Sequence, residues 1–254
     1  MALEIASLNS GSNGNCYYIG NETDAVLIDV GISCTETEKR LKQLGLSVAK
    51  IRAIFVSHEH KDHVKGVSTF ANKYGITVYI TPGTALNGPR LIRHISRLFV
   101  ANASISIGNL CVTGLKTKHD AADPHNFIIT DQKVTVGVFT DIGTACQEVE
   151  QYFKKCNAAF LEANYDEAML NNGSYSVLLK NRIRGDEGHL SNMQALELFT
   201  THRSPALSHL LLCHLSQHNN DPVLVEQLFT ERAGSCKVVT CSRNAPTGVF
   251  RISC

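Results

Sequence analysis

The chain has 254 residues, of which 43% are hydrophobic and 19% are charged, and its formal net charge at pH 7 is +1. This composition is typical of a globular protein and excludes a disordered or fibrous chain. The length fits one large domain or two small ones. The near-neutral charge gives no global reason to expect nucleic-acid binding, so any such binding must depend on a local patch.

The N-terminus lacks a basic start followed by an apolar segment, so we expect no secretory signal. No apolar run approaches the roughly 18 residues that span a bilayer. The nine cysteines are an odd number and form no Cys-x-x-Cys pair, so we interpret them as reduced, mostly buried thiols. The sequence therefore predicts a cytoplasmic protein without membrane contact, and it assigns no oligomeric state.

Strand-like and helical patterns alternate in the first half of the chain. Apolar runs predict strands at residues 3–8, 16–19, 25–29, 51–56 and 78–80. Helical spacing predicts helices at residues 35–44, 64–74 and 88–97. Thr35 is the expected N-cap of the first helix, with Glu38 three positions on in a capping-box pattern.

The second half begins with four strand candidates, at residues 104–107, 110–117, 126–130 and 134–140. Later strands are predicted at 158–162, 209–214, 238–241 and 248–252, and helices at 144–153, 175–183, 191–202 and 223–229. No linker or low-complexity segment divides the chain, so we expect a single domain over residues 1–254. The order of elements predicts an α/β (α+β) fold, in which two mixed sheets pack together with helices outside.

A cluster of metal-ligand side chains directly follows the predicted strand 51–56. Its residues are Ser57-His58-Glu59-His60-Lys61-Asp62-His63. Imidazole and carboxylate groups are the ligands that zinc, manganese and iron prefer, and α/β folds bind ligands at the carboxyl ends of strands. The cluster therefore predicts a metal site, and the alternative is a solvated turn with incidental histidines.

Four other predicted strands end in the same kind of side chain, at Asp29, His119, Asp141 and His214. Taken alone, each is explained by an ordinary cap or turn residue. Together with the cluster, five strand ends that deliver His or Asp favour a common metal pocket.

These motifs, in this order, resemble those of the metallo-β-lactamase superfamily, and the resemblance covers essentially the whole chain. It implies a four-layer αββα sandwich of two mixed β-sheets flanked by helices, with a dinuclear metal site at one edge. Carried over by motif, three histidines would hold one ion: His58, His60 and His119. The other ion would be held by Asp62, His63 and His214.

The same resemblance implies that Asp141 bridges the two ions and that Asp29 orients the ligand histidines through their free ring nitrogens. The expected cofactors are two divalent ions, zinc first, with manganese or iron as alternatives. Such a pair activates water and holds the oxygens of an in-line displacement, so Asp62 and Asp141 are expected to serve catalysis as well as metal binding. Lactamases of the superfamily lack a bridging aspartate at this place, whereas its phosphodiesterases and nucleases have one, which favours phosphodiester hydrolysis.

Glu162 ends another predicted strand, and His189 stands just before a capped helix. In the tRNA-processing RNase Z enzymes, a Glu and a His at similar places in the motif order protonate the leaving oxygen. The resemblance therefore implies a catalytic role for both residues. The alternative is that Glu162 caps the following helix and His189 is a loop residue.

A more detailed resemblance is to the YycJ/WalJ (VicX) group of bacterial proteins, regarded as single-domain 5′→3′ exonucleases on DNA. It is carried by SLNSGSNGNC at residues 7–16, GHLSN at 188–192 and HLSQHNN at 214–220. The acidic pair Asp186-Glu187 departs from what we expect beside a nucleic-acid path. The chain between Asp141 and His214 is too short for the inserted domain of β-CASP enzymes, and no tRNA-gripping arm is visible.

The resemblance therefore implies a dinuclear-metal-dependent 5′→3′ exonuclease that acts on single-stranded DNA. The alternatives are a small-molecule hydrolase of the same fold, which would cleave a thioester, a lactone or, weakly, a β-lactam, and RNase Z-like RNA processing. A third possibility is a metal-stabilised binding protein without turnover.

Two segments are candidates for phosphate contact. The glycine-rich loop at residues 11–14 offers amides and hydroxyls to a terminal phosphate, with Ser10, Ser12 and Asn15 as the expected ligands, although a tight turn between strands explains it equally well. Basic residues of the predicted helix 88–97 would track a phosphate backbone, or simply form a solvated helix face: Arg90, Arg93, His94 and Arg97.

Overall fold

The computed structural model of the protein describes residues 2–93 and 95–253, apart from the side chains of residues 91 and 93. Its strands are β1 (Leu3–Asn9), β2 (Cys16–Gly20), β3 (Ala25–Ile28), β4 (Ile51–Phe55), β5 (Thr77–Ile80), β6 (Ser96–Leu98), β7 (Ser104–Ile107), β8 (Leu110–Lys116), β9 (His125–Thr130), β10 (Thr135–Phe139), β11 (Ala158–Glu162), β12 (His209–Cys213), β13 (Lys237–Thr240) and β14 (Phe250–Ile252).

The strands form two seven-stranded sheets with the same pattern of pairing. The first has the order β14-β1-β2-β3-β4-β5-β6, and the second has the order β7-β8-β9-β10-β11-β12-β13. In each order, three antiparallel pairings are followed by three parallel pairings. The two halves of the chain thus share a topology, although the sequence has no obvious internal repeat.

The helices connect and cover the sheets. They are α1 (Cys34–Gln43), α2 (Lys61–Val64), α3 (Val67–Tyr74), α4 (Pro82–Asn87), α5 (Arg90–Arg93), α6 (Gln147–Phe153), α7 (Glu167–Asn172), α8 (Val177–Arg184), α9 (Asn192–His202) and α10 (Pro222–Ala233). Within the described ranges, none of them combines the length and the apolar character needed to cross a membrane.

Alternation of side chains along the strands produces four layers, because successive residues point to opposite faces of a sheet. In β3, Val26 belongs to the apolar cluster between the sheets, and Leu27 belongs to the cluster beneath α1 and α3. In β11, Phe160 joins the central cluster, and Leu161 joins the cluster that contains residues of α6, α9 and α10. Full burial of one such side chain contributes roughly 1.5–3 kcal/mol. The predicted αββα sandwich of two mixed sheets is confirmed.

The helix predicted at residues 88–97 is wrong in its second half. α5 ends at Arg93, and Arg97 lies in β6, which pairs in parallel with β5. Pairing with the sheet overrides the local helical spacing. Arg90 and Arg97 therefore share no helix face, and His94 lies outside the described residues, as does the side chain of Arg93.

Two other helix predictions need correction. The N-cap of α1 is Ser33, whose hydroxyl accepts a hydrogen bond from the Glu36 amide at 3.2 Å, so the predicted cap Thr35 is wrong. The helix predicted at residues 64–74 is interrupted at Gly66, between α2 and α3. The amide of Gly66 donates to the carbonyl of Val30 at 2.8 Å. This contact with the segment after β3 cannot be inferred from the local spacing of apolar residues.

Candidate metal centre

The expected ligands lie just beyond strand ends, in loops or, for Asp62 and His63, in the short helix α2. They come after β3 (Asp29), β4 (residues 58–63), β8 (His119), β10 (Asp141) and β12 (His214). Apart from Asp29, their ligand atoms fall into overlapping groups, each with all atoms within 4.8 Å of one another. The structure thus brings together side chains from both halves of the chain.

Three of these residues have a left-handed backbone conformation. The angle φ is 60° at Asp29, 56° at Asp141 and 55° at His214. Non-glycine residues rarely adopt this conformation, and each instance costs of order 1–3 kcal/mol. The surrounding contacts must offset that cost, and such strain clusters at functional sites.

His58, His60 and His119 form the first group of ligand atoms. His58 Nε2 lies 3.0 Å from His60 Nδ1, and the ring centres of His58 and His119 are 5.0 Å apart. His119 Nδ1 lies 3.0 Å from the carbonyl oxygen of Gly188. Because a carbonyl only accepts, Nδ1 carries the proton and Nε2 is left to face the group.

Asp62, His63 and His214 form the second group. Asp62 Oδ2 lies 3.5 Å from His63 Nε2 and 3.6 Å from His214 Nε2. The other ring nitrogens have different partners. His63 Nδ1 lies 2.7 Å from the Asp29 carboxylate, and His214 Nδ1 lies 3.1 Å from the Glu162 carboxylate. Both rings therefore present Nε2 to the same point.

Asp141 lies between the two groups. Its Oδ2 is 3.3 Å from His63 Nε2, and its Oδ1 is 3.7 Å from His119 Nε2. Asp141 Oδ2 and His214 Nε2 are both buried and have no hydrogen-bond partner in the part of the chain that the structure describes. Such orphaned polar atoms are costly. Bound divalent ions would satisfy both atoms, and the set of imidazole and carboxylate donors suits zinc, manganese or iron.

Asp29 and Ser57 link the two groups from beneath. Asp29 accepts hydrogen bonds from the amide and the hydroxyl of Ser57, at 2.8 and 2.7 Å, and also contacts His63 Nδ1. Ser57 Oγ lies 3.0 Å from His58 Nδ1. Contacts of this kind fix the orientation of ligand rings. Ser57 opens the predicted cluster, but a serine after a strand is also an ordinary turn residue.

Electrostatic effects hold the carboxylates of the site in their charged form. Burial acts to raise the pKa of Asp141, but the neighbouring histidines, His214 and His63 foremost, bring it below its usual range. Burial likewise opposes the charged form of His214, yet Asp141 and the other carboxylates raise its pKa to about 10. At His63 too, Asp141, Asp29 and Asp62 outweigh burial and raise the pKa. Because a raised pKa favours the protonated ring, a metal ion competes with protons for these nitrogens.

Glu162 and His189 form a hydrogen-bonded pair beside Asp141. His189 Nδ1 lies 2.7 Å from Glu162 Oε1 and 3.8 Å from Asp141 Oδ1. Glu162 is fully buried and also accepts from the amide of Ile142 at 2.8 Å. The His189 side chain is 18% exposed and is open to a substrate. The alternative interpretation of Glu162 as a helix cap is wrong, since Asp166 caps α7.

Two further residues of the site escape prediction from the sequence. Asn164 donates to the carbonyl of His214 at 2.7 Å, which supports the strained backbone there. Asp120 Oδ1 is buried without a hydrogen-bond partner among the described residues and lies 3.3 Å from His119 Nε2. The sequence signal for Asp120 is its place directly after His119, whereas Asn164 has no distinguishing signal.

The three expected phosphate ligands have different environments. Ser10 is buried, and its hydroxyl accepts from the amide of His214 at 2.8 Å. Asn15 is buried, and its amide nitrogen lies 3.3 Å from Asp62 Oδ2. Ser12 alone of the three is exposed. Ser10 and Asn15 thus contact ligand residues, which leaves Ser12 as the one of the three that is open to a phosphate.

Comparison with known proteins gives matches along most of the chain. Residues 10–170 match the sequence model of the metallo-beta-lactamase superfamily. The chain is 33% identical over 224 residues to a protein of Bacillus anthracis named exodeoxyribonuclease YycJ, covering 87% of the chain and 85% of that protein. It is 28% identical over 226 residues to exodeoxyribonuclease WalJ of Streptococcus pneumoniae, covering 87% and 84%.

Among solved structures, the chain is similar to the metallo-beta-lactamase fold protein YhfI of Bacillus subtilis. The TM-score is 0.75 at 17% sequence identity, and the match covers 99% of this chain and 100% of that one. At this identity the likeness concerns the fold alone.

Proposed function

The chain belongs to the metallo-beta-lactamase superfamily and is a metal-dependent hydrolase of that fold, and on this premise we propose that it is a 5′→3′ exonuclease acting on single-stranded DNA. The observation that carries the proposal is the likeness, over 87% of the chain, to two relatives named exodeoxyribonucleases. The geometry of the site supports the hydrolytic chemistry that such an activity requires.

The proposed ligand sets follow the two groups of the site and the aspartate between them. One ion would be held by His58, His60 and His119, the other by Asp62, His63 and His214, and Asp141 would contribute a carboxylate between the two groups. When bound, such a pair of ions supplies Lewis-acid stabilisation of the reacting phosphate and activation of water. Zinc is the proposed ion, with manganese or iron as alternatives, and metal analysis of the purified protein distinguishes them.

The proposed proton donor is His189. Its Nδ1 donates to the buried Glu162 carboxylate, 2.7 Å away, which fixes the orientation of the ring and leaves Nε2 as the atom that faces the substrate. The proton on Nε2 is then given to the leaving oxygen of the phosphodiester, because an alkoxide leaves poorly without an acid. Glu162 acts through His189 and is a positioning residue. Asp29 and Ser57 likewise position the rings of His63 and His58.

The direct test is digestion of single-stranded oligonucleotides labelled at the 5′ or the 3′ end. With zinc, manganese or magnesium added, we expect early release of the 5′ label as a mononucleotide and progressive shortening of the 3′-labelled strand. After chelation of the metal, neither product should form. A His189→Ala protein purified in parallel controls for contaminating nucleases, which would persist in that preparation.

Four outcomes separate the proposal from its alternatives. If no nucleotides are released with zinc, with manganese or with magnesium, the proposed nuclease activity is refuted. Release from the 3′ end first would refute the polarity, and a strong preference for RNA would favour RNase Z-like processing. Rapid turnover of a thioester, lactone or lactam while DNA stays intact would favour a small-molecule hydrolase.

A further inference from the structure

Arg243 follows β13 and lies at the rim of the second metal group. It is half-buried, and its guanidinium donates to the carbonyl of Leu215 at 2.8 Å and to the side-chain oxygen of Gln217 at 3.0 Å. A guanidinium has five N–H donors, so these bonds leave donors available. Leu215 directly follows His214, which ties Arg243 to the site.

The charge of Arg243 is not compensated. Among the residues that the structure describes, no carboxylate lies within the 4.0 Å of an ion pair with it. The buried Arg40, in contrast, is paired with Glu36 at 2.8 Å. Burial lowers the pKa of Arg243, and Tyr175 opposes this shift only in its ionised form, so it offers no counter-charge at neutral pH. A partly desolvated cation without a counter-ion is suited to an anionic ligand.

Arg243 lies two contacts away from the ligand residues. Arg243 Nη2 lies close to Gly11, because a Cβ atom added at Gly11 would be only 3.1 Å from it. The amide of Gly11 donates to Asn15 Oδ1 at 2.9 Å, and Asn15 Nδ2 lies 3.3 Å from Asp62 Oδ2 and 3.1 Å from His63 Nε2. The absence of a side chain at Gly11, which has φ of 131°, keeps the guanidinium accessible beside the site.

The two rims of the site differ in charge. On the Arg243 side the exposed side chains are Ser12, Asn13 and Gln217, none of which is acidic. On the His119 side Asp186 and Glu187 are exposed, and the carbonyl of Glu187 accepts from the amide of Asp120 at 3.0 Å. Lys118 and Arg182 are also exposed on the His119 side, and Arg182 is paired with Asp120. Because the charges of the second rim are mixed, a polyanionic strand is attracted more strongly to the first rim.

We propose that Arg243 binds the 5′-terminal phosphate of the substrate strand and so determines which end of the strand enters the site. The inference rests on the proposed function. A terminal phosphate carries about −1.5 to −2 charge at pH 7, more than an internal diester, and has three strong acceptor oxygens. The planar guanidinium matches such a group in a bidentate geometry, and the exposed Ser12 hydroxyl lies in the adjoining loop.

The test compares 5′-phosphorylated and 5′-hydroxyl oligonucleotides of the same sequence. Initial rates of the metal-loaded wild-type enzyme give the ratio of kcat/KM for the two substrates. Binding is measured by fluorescence anisotropy on metal-loaded protein carrying His189→Ala, with and without Arg243→Gln. We expect a preference for the phosphorylated strand of about 10-fold or more, as for a hydrogen bond between charged groups. Arg243→Gln should bring the ratio of the affinities for the phosphorylated and the hydroxyl strand close to one.

The salt dependence of binding gives an independent measure. Loss of one phosphate contact on a single strand should make the slope of log Kobs against log salt shallower by about 0.7. Arg203→Gln is the matched control, because Arg203 is also half-buried and donates to two backbone carbonyls, of Arg232 and Ala233, before the start of β12. Arg203→Gln should keep the wild-type preference for the phosphorylated strand and the wild-type slope of log Kobs against log salt.

The outcomes separate this inference from the function on which it rests. If the wild-type protein neither binds nor digests either strand, the proposed exonuclease itself fails. If it digests both strands equally, or if Arg243→Gln keeps the preference, only the role of Arg243 is refuted. Should the glutamine variant not fold, Arg243→Lys carries the test. A several-fold loss of preference then supports the proposal, because lysine lacks the fork of donors, and an unchanged preference refutes it.

Discussion

Glu162 Oε1 lies 2.7 Å from His189 Nδ1, so a fully buried carboxylate orients an imidazole whose side chain is 18% exposed. The same oxygen lies 3.1 Å from His214 Nδ1. One carboxylate thus contacts both the proposed proton donor and an expected metal ligand. Replacing Glu162 should therefore affect protonation and metal binding together, whereas replacing His189 should affect protonation alone.

His189→Ala should lower the single-turnover rate on single-stranded DNA by about 10²–10⁴-fold, the usual contribution of a general acid. The metal content should stay at the wild-type value, because His189 is not among the assigned ligands. Metal analysis and rapid-quench kinetics on the same preparation measure both quantities. A wild-type rate in this variant would remove His189 from the mechanism.

Asp141→Ala should abolish activity and weaken metal retention, since Asp141 is the carboxylate that faces both ligand groups. Metal retained after dialysis against a mild chelator is the measurement. Asp186→Ala is a suitable control, because Asp186 is an exposed aspartate at the rim and should keep both ions. Two tightly held ions in Asp141→Ala would contradict the bridging assignment.

Ser57→Ala should weaken metal affinity by roughly 10–100-fold, the usual effect of removing a group that orients a ligand ring. The fold should persist, because only the hydroxyl that connects Asp29 to His58 is lost. Ser7→Ala provides the comparison. Ser7 is also a buried serine, and its hydroxyl has no hydrogen-bond partner among the described residues. Equal metal affinity in the two variants would argue against a positioning role.

Burial should protect most thiols from alkylation in the native protein. It raises the pKa of Cys156 to about 12, so that at pH 8 only about one molecule in ten thousand carries the reactive thiolate. Cys213 is buried too, and its pKa is also raised. Among the cysteines that the structure describes, Cys111 and Cys146 are only half-buried and should react first with iodoacetamide, as followed by peptide mass spectrometry. Rapid labelling of Cys156 before unfolding would be inconsistent with its burial.

The expected ligands were predictable because two signals coincide at each. Asp141, for example, combines a ligand side chain with the end of an apolar strand, and parallel strands bring such ends to one edge. The unbroken apolar run that includes Val26 and Leu27 likewise indicates a strand buried on both faces. These signals depend only on neighbouring residues in the sequence, so contacts between distant segments do not alter them.

Other features depend on contacts between distant segments. Asn164 supports His214 only because β11 and β12 are neighbours in the sheet, and an asparagine at that place resembles any turn residue. Arg97 lies in a strand because β5 is available as a partner. Left-handed backbone at Asp141 follows from the fit of a whole loop, for which the residue type is only a weak guide.

The shared topology of the two halves has a consequence for the metal centre. Each ligand group takes two side chains from the segment after β4, which includes α2, and one side chain from the second half: His58 and His60 with His119, and Asp62 and His63 with His214. Neither half alone supplies the three or more protein ligands that such sites use. In the proposed assignment each ion would therefore link the two halves of the sandwich, and chelation should weaken the contact between the halves while leaving each outer apolar cluster intact.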